Sequence, residues 1–116
     1  MSAHPQELVI IDIWTVAPGR KQEMAGALRA GLERLRLIDG FIEGDVLANW
    51  DETRVASFVR FRSAADWERA TEDDEFLEQM RALEALGTSD GDAYERTAVI
   101  APPRDHGPIR VSYEAF

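Results

Sequence analysis

The sequence predicts one small α+β domain whose elements run in the order βαββαβ. Three observations carry that expectation. A β-branched and aromatic run, LVIIDIWTV, occupies residues 8–16, and apolar residues then recur at helical spacing over residues 20–37. Two further strand-like runs, 41–49 and 54–61, are separated only by Trp50-Asp51-Glu52-Thr53, a connection so short that it requires an antiparallel hairpin. With 116 residues there is room for one core and not two.

Each element has its own reason. The first run carries a single charge, Asp12, and reads as a central strand covered on both faces. Pro18-Gly19 then supplies turn chemistry. Met24, Leu28, Leu32 and Leu35 form one stripe of the first helix, while Lys21, Glu23, Arg29, Glu33 and Arg36 take the other faces. Asp39-Gly40 stops it, the glycine suiting a left-handed turn. In the strand over 54–61, Val55, Ser57, Val59 and Phe61 share one face, and Ala56, Phe58 and Arg60 the other.

Ser63-Ala64-Ala65-Asp66 has the form of a capping box with Asp in place of Glu, so a helix carrying Trp67 and Ala70 follows. The acidic stretch 71–75 reads as a break and a fresh helix start, because carboxylates favour the positive end of the helix dipole. Phe76, Met80 and Leu83 make the stripe of its continuation to Leu86, which Gly87 ends. The final strand is expected at 93–101 (AYERTAVIA), closed by Pro102-Pro103.

This order is the ferredoxin-like arrangement: a four-stranded antiparallel sheet with its helices on one face. The other face keeps apolar groups such as Phe58, and a second copy packed sheet to sheet is the simplest cover. The expected organisation is an N-terminal arm over 1–6, the domain over 7–103, and a tail over 104–116 that either lies along a partner subunit or is loose.

Composition narrows the function. A net charge of −9, from 22 acidic and 13 basic residues, opposes binding to nucleic acid or to anionic lipid. No apolar run has the length of a membrane span, and no signal peptide is evident at the start, so a soluble, cytoplasmic protein is expected. The chain has no cysteine, which removes disulfides, thiolate metal sites and a cysteine nucleophile. His4 and His106 lie in the terminal segments, which argues against a histidine-centred triad or metal site. Dinucleotide, P-loop, HExxH and GxSxG signatures are missing.

Few side chains then remain to carry chemistry. Asp12 interrupts an apolar strand. It is expected to pair with an arginine such as Arg60 near an edge of the dimer interface, or, if buried without a partner, to have a raised pKa. Taken alone, Arg81 is a surface arginine beside the apolar stripe and Trp67 is core packing. Ser57, polar on an apolar strand face, bonds a neighbouring carbonyl or, in a pocket, orients a ligand hydroxyl.

The segments VAPGRKQEM and LIDGFIEGDVLANWDETRVASFVRFRSAADWERA add a further reading. With them, about residues 7–101 resemble the antibiotic biosynthesis monooxygenase (ABM) family of dimeric α/β barrels. The resemblance implies a homodimer and a cofactor-independent monooxygenase that oxidises an electron-rich aromatic molecule, a polyketide anthrone or quinol, with molecular oxygen. It implies neither metal nor organic cofactor. It makes Arg81 and Ser57 the catalytic candidates and Trp67, Phe61, Trp14 and Met80 the substrate-binding ones. Ser57 stands where that subgroup carries asparagine, and Phe61 where it carries tryptophan. Haem-degrading members use a histidine on the second helix, and none occurs there. A polyketide cyclase on the same dimeric fold and a non-catalytic binding or assembly module are the alternatives.

Overall fold

A computed structural model describes residues 7–103. Its elements are β1 (Leu8–Val16), α1 (Lys21–Leu35), β2 (Phe41–Ala48), β3 (Arg54–Phe61), α2 (Ala64–Ala70), α3 (Asp74–Glu84) and β4 (Gly87–Glu95). The strands form one antiparallel sheet in the order β2-β3-β1-β4, so β1 is central, as its apolar composition requires. This is the ferredoxin-like arrangement, with three helices rather than two. The second helical region breaks at the acidic stretch, where Asp73 caps α3 by accepting a hydrogen bond from the Phe76 N–H at 2.9 Å.

The final strand differs from expectation. It spans Gly87–Glu95 instead of 93–101, and Gly87 opens it rather than merely ending the helix. GTSDGDAYE has no apolar alternation. Pairing along the whole of β1, from Val16↔Gly87 to Leu8↔Glu95, makes it a strand; tertiary context overrides weak local propensity there. The tail over 104–116 and the arm over 1–6 lie outside the described residues.

Strand alternation sorts the side chains into two faces. Ile10, Trp14, Val16, Val55, Val59 and Phe61 are buried on the face that meets the helices. Around them are two apolar clusters. One joins Ile10, Leu35, Val59, Phe61, Ala70 and Phe76; the other joins Trp14, Val16, Met24, Leu28, Val55 and Leu83. Met80 packs against both. On the opposite face Ile13, Leu47, Phe58 and Tyr94 stand exposed.

Polar contacts fix the helices to this frame. Asp66 is buried; it receives hydrogen bonds from Ser63 Oγ at 3.0 Å and Arg62 Nε at 2.7 Å, and it also pairs with Arg69. Gly40 has φ +97°, and a Cβ there would come within 2.5 Å of the Asp66 Cβ, so glycine is required for both backbone and space.

Arg34 of α1 holds Asp73 with two bonds, Nε to Oδ2 at 2.9 Å and Nη2 to Oδ1 at 2.7 Å, tying α1 to the start of α3. That guanidinium, aided by the Phe76 N–H, lowers the Asp73 pKa to about 2 from its ordinary 3.8. A depressed carboxylate stabilises the fold above its unfolded pKa, and that contribution is lost as pH falls through the folded value. Asp73→Asn should therefore lower Tm at neutral pH, and its deficit against the parent should shrink between pH 3.8 and about 2. Thermal unfolding across that window measures both.

Candidate functional site

The two apolar clusters are separated by a polar row. Across the sheet, Gly91 of β4 faces Asp12 of β1, Asp12 faces Ser57 of β3, and Ser57 faces Val46 of β2. Asp12 shares the parity of the buried Ile10 and Trp14, so it points at the helices. Arg60 pairs in register with Val9 and lies on the other face, where it binds Glu7 and Glu43. The expected Asp12–Arg60 pair therefore does not form. One strand position of parity puts the sheet between them.

Above this row lies a small chamber of about 20 Å³, roofed by Leu28, Gly31 and Leu32 of α1 and by Met80 and Leu83 of α3. Trp67 and Phe76 close one side. The volume is about that of one water-sized probe. Among the described residues, Asp12 and Ser57 are the chamber's only polar side chains apart from the Trp67 indole. Ser57 is buried and Asp12 half-buried.

No ion pair among the described residues involves Asp12. Burial raises its pKa above the ordinary 3.8, and the neighbouring Asp90 carboxylate raises it further. The carboxylate rests against Gly91, where any Cβ would collide with Oδ1. Two of these features are readable in sequence: the parity of Asp12 and the hydroxyl of Ser57 on an apolar strand face.

A groove of about 620 Å³ runs outside the chamber between α1 and β2, lined by Gln22, Arg29, Arg36, Phe41 and Val46 among others. Leu32 borders both spaces. A Cβ at Gly44 would lie 2.6 Å from Leu32 Cδ2, so the glycine lets Leu32 press against β2 as the wall between groove and chamber.

The sequence-derived candidates separate into three groups. Ser57, Trp67 and Met80 meet at the chamber. Phe61 is fully buried beside it, in edge-to-face contact with Trp67 at 5.3 Å between ring centroids. Trp14 is sealed in the second apolar cluster, with its indole Nε1 buried and unpartnered among the described residues. The Arg81 side chain is 68% exposed, pairs with Glu78 at 3.4 Å and does not line the chamber. The sequence reading missed Leu28, Leu32 and Gly91, since a wall residue and a cradle glycine carry no local signature. No group of three or more potential metal ligands occurs among the described residues, and none of their helices is long and apolar enough to cross a membrane.

A four-stranded antiparallel sheet in the order β2-β3-β1-β4 with its helices on one face defines the ferredoxin-like class of fold. Residues 8–82 match the family described as antibiotic biosynthesis monooxygenase, and the chain belongs to that family. Among solved structures it is similar to a mutant of SnoaB, a cofactor-independent oxygenase from Streptomyces nogalater. The TM-score is 0.78 at 19% identity, with 84% of this chain and 99% of that one covered. It is also similar to PA3566 from Pseudomonas aeruginosa, with TM-score 0.71 and 26% identity over 84% and 100% of the two chains. A putative antibiotic biosynthesis monooxygenase from Nitrosomonas europaea gives 0.72 at 17% identity, over 84% and 96%. No curated protein matches.

The raised Asp12 pKa has a consequence for stability. A carboxyl whose folded pKa lies above its unfolded value stabilises the fold below the unfolded pKa, and the contribution is lost as pH rises through the folded value. Asp12→Asn should raise Tm by a few degrees at neutral pH. The gain should fade below pH 3.8, the ordinary value of this carboxyl. Unfolding curves of both proteins at the two pH values test this.

Proposed function

We propose that the protein is a cofactor-independent monooxygenase acting on an electron-rich aromatic molecule of the polyketide anthrone or quinol type. One observation carries the reading: in a chain of this family, an Asp–Ser pair interrupts an otherwise apolar core at a small chamber that shares Leu32 with a neighbouring groove of ligand size. Once deprotonated, such a substrate gives an electron to O₂ and recombines with the superoxide formed. For an anthrone the methylene carbon gains one oxygen as a carbonyl. The second oxygen leaves with the two methylene hydrogens as water, so atoms and electrons balance. A dry, apolar chamber protects the radical pair and strengthens any polar contact made within it.

The Ser57 hydroxyl orients a ring oxygen, and Trp67, Phe61 and Met80 hold the ring, with Trp14 supporting the wall behind them. Arg81 follows Met80, which lines the chamber, and serves as the cation of the reaction. To act there it exchanges an exposed Glu78 pair, a contact of small energy, for an anionic oxygen. The chamber admits a ring only once Leu32 moves aside and joins it to the groove.

The narrowness of the closed chamber favours a second reading, a non-catalytic binding or assembly module. The serine and phenylalanine that replace the subgroup's asparagine and tryptophan favour a third, a cyclase that removes water from a poly-β-ketone. Incubation with anthrones, hydroxynaphthoquinols and poly-β-ketone mimics, with and without oxygen, separates all three by product mass. The expected result is an oxygen-dependent product that has gained one oxygen atom, formed on the order of a hundredfold more slowly by Arg81→Ala. Water loss that proceeds without oxygen would assign the cyclase, and no conversion of any compound the module.

The exposed Ile13, Leu47, Phe58 and Tyr94 support a homodimer packed sheet to sheet. Phe58→Glu should then convert a dimer into a folded monomer in sedimentation equilibrium. An unchanged mass would remove this face from the interface.

A further inference from the structure

We propose that Asp12 is the proton acceptor of the site, taking the acidic ring-hydroxyl or methylene proton of an aromatic ligand seated against Ser57. The inference deepens the reading above and rests on its claim that the chamber binds such a ligand.

Elimination within the chamber comes first. A base must reach the proton directly or through one water. Among the described residues lining the space, Asp12 is the only titratable side chain; the others are Ser57, Trp67 and apolar groups. Arg81, the cation of the proposed reaction, has no capacity to accept a proton at neutral pH.

The second support is the setting of the carboxylate. Gly91 opposite it carries no side chain, and a Cβ would collide with Oδ1. The carboxylate is thus held by a position that only glycine leaves open. No ion pair among the described residues engages it, so its lone pairs are available. A structural carboxylate in a core is normally paired or multiply hydrogen-bonded.

The third support is charge conservation. Transfer breaks one O–H or C–H bond of the ligand and forms an O–H bond on Asp12, while the electron pair stays on the ligand as phenolate or enolate. No electron leaves and no oxidant is needed at this stage. One negative charge is present before and after, so the low-dielectric chamber opposes the transfer far less than it would oppose separation of charge. Asp90 is the only charged group among the described residues that acts on Asp12; it disfavours a second anion there and so favours the protonated form. The residues of α1 and α3 over the chamber, Leu28, Gly31, Leu32, Met80 and Leu83, carry no charge.

The test separates deprotonation from oxidation. The full chain is titrated anaerobically with 1,8-dihydroxyanthrone near neutral pH, where the free compound is protonated. Binding is read by tryptophan fluorescence and ionisation by the long-wavelength absorbance of the anion. The expected result is an anion band that saturates with binding in the parent protein. In Asp12→Asn the anthrone should bind with a band on the order of one-tenth or less. Gly91→Ala, which keeps the carboxyl but displaces it, should also lose the band. It decides the matter if the asparagine variant does not fold. An undiminished band in folded Asp12→Asn, or a parent that binds the anthrone without ionising it, overturns the assignment of Asp12 and leaves the binding site standing. A parent that does not bind the anthrone overturns both.

Discussion

The alternation of side chains along β1 is the constraint on which the rest of the molecule depends. β1 is central in the sheet, and its even-numbered residues all face the helices. Ile10 anchors one apolar cluster and Trp14 the other. Asp12 must fall between them. A shift of one residue in register would expose both anchors and place the carboxylate on the opposite face, so the core and the polar row are fixed by the same pairing. The hydroxyl of Ser57 is brought opposite Asp12 by the register that also aligns Val59 with Ile10 and Val55 with Trp14.

Such a row is a cost to the fold. A half-buried carboxylate with no cationic partner among the described residues disfavours its own ionisation, and β4 gives up a side chain at Gly91 to accommodate it. Elsewhere the molecule treats buried acid quite differently. Asp66 is surrounded by Arg62, Arg69 and Ser63, and Asp73 is held by Arg34 and the α3 N-terminus. One set of carboxylates is neutralised and structural. The other is left open at a cavity. Asp73 and Asp12 are accordingly shifted in opposite directions, the first downward by its arginine partner and the second upward by burial and Asp90.

Much of this was legible in the residues. β1, β3, the hairpin and the break before α3 follow from β-branched runs, a four-residue connection and a cluster of acids, because each has a strong local cause. β4 does not. Its inner face, Gly87, Ser89, Gly91 and Ala93, offers no hydrophobic period, and only pairing with β1 reveals it. Asp12 was assigned the wrong partner because a strand covered on both faces gives no sign of which face holds the helices. Parity relative to Arg60 could have excluded that pair, since Val59 and Phe61 point one way and Arg60 the other. The position of Leu32 as a wall was beyond pattern reasoning, because helical spacing marks a buried stripe without saying which member stands beside empty space.

That wall decides how a closed core and a binding site coexist. The chamber over Asp12 and Ser57 is too small for an aromatic ring, while the groove beyond Leu32 is large enough for several. Leu32 borders both spaces and is pressed against Gly44, where a Cβ would approach Cδ2 to 2.6 Å. Moving a leucine away from its preferred rotamer costs on the order of 1 kcal/mol, and a ring entering the joined space recovers more than that through burial. The closed arrangement therefore shields the half-buried carboxylate on the side that faces the groove. On the proposed function, a ligand whose apolar surface replaces the leucine contact would open it, and the side chain that narrows the chamber would then favour an aromatic guest.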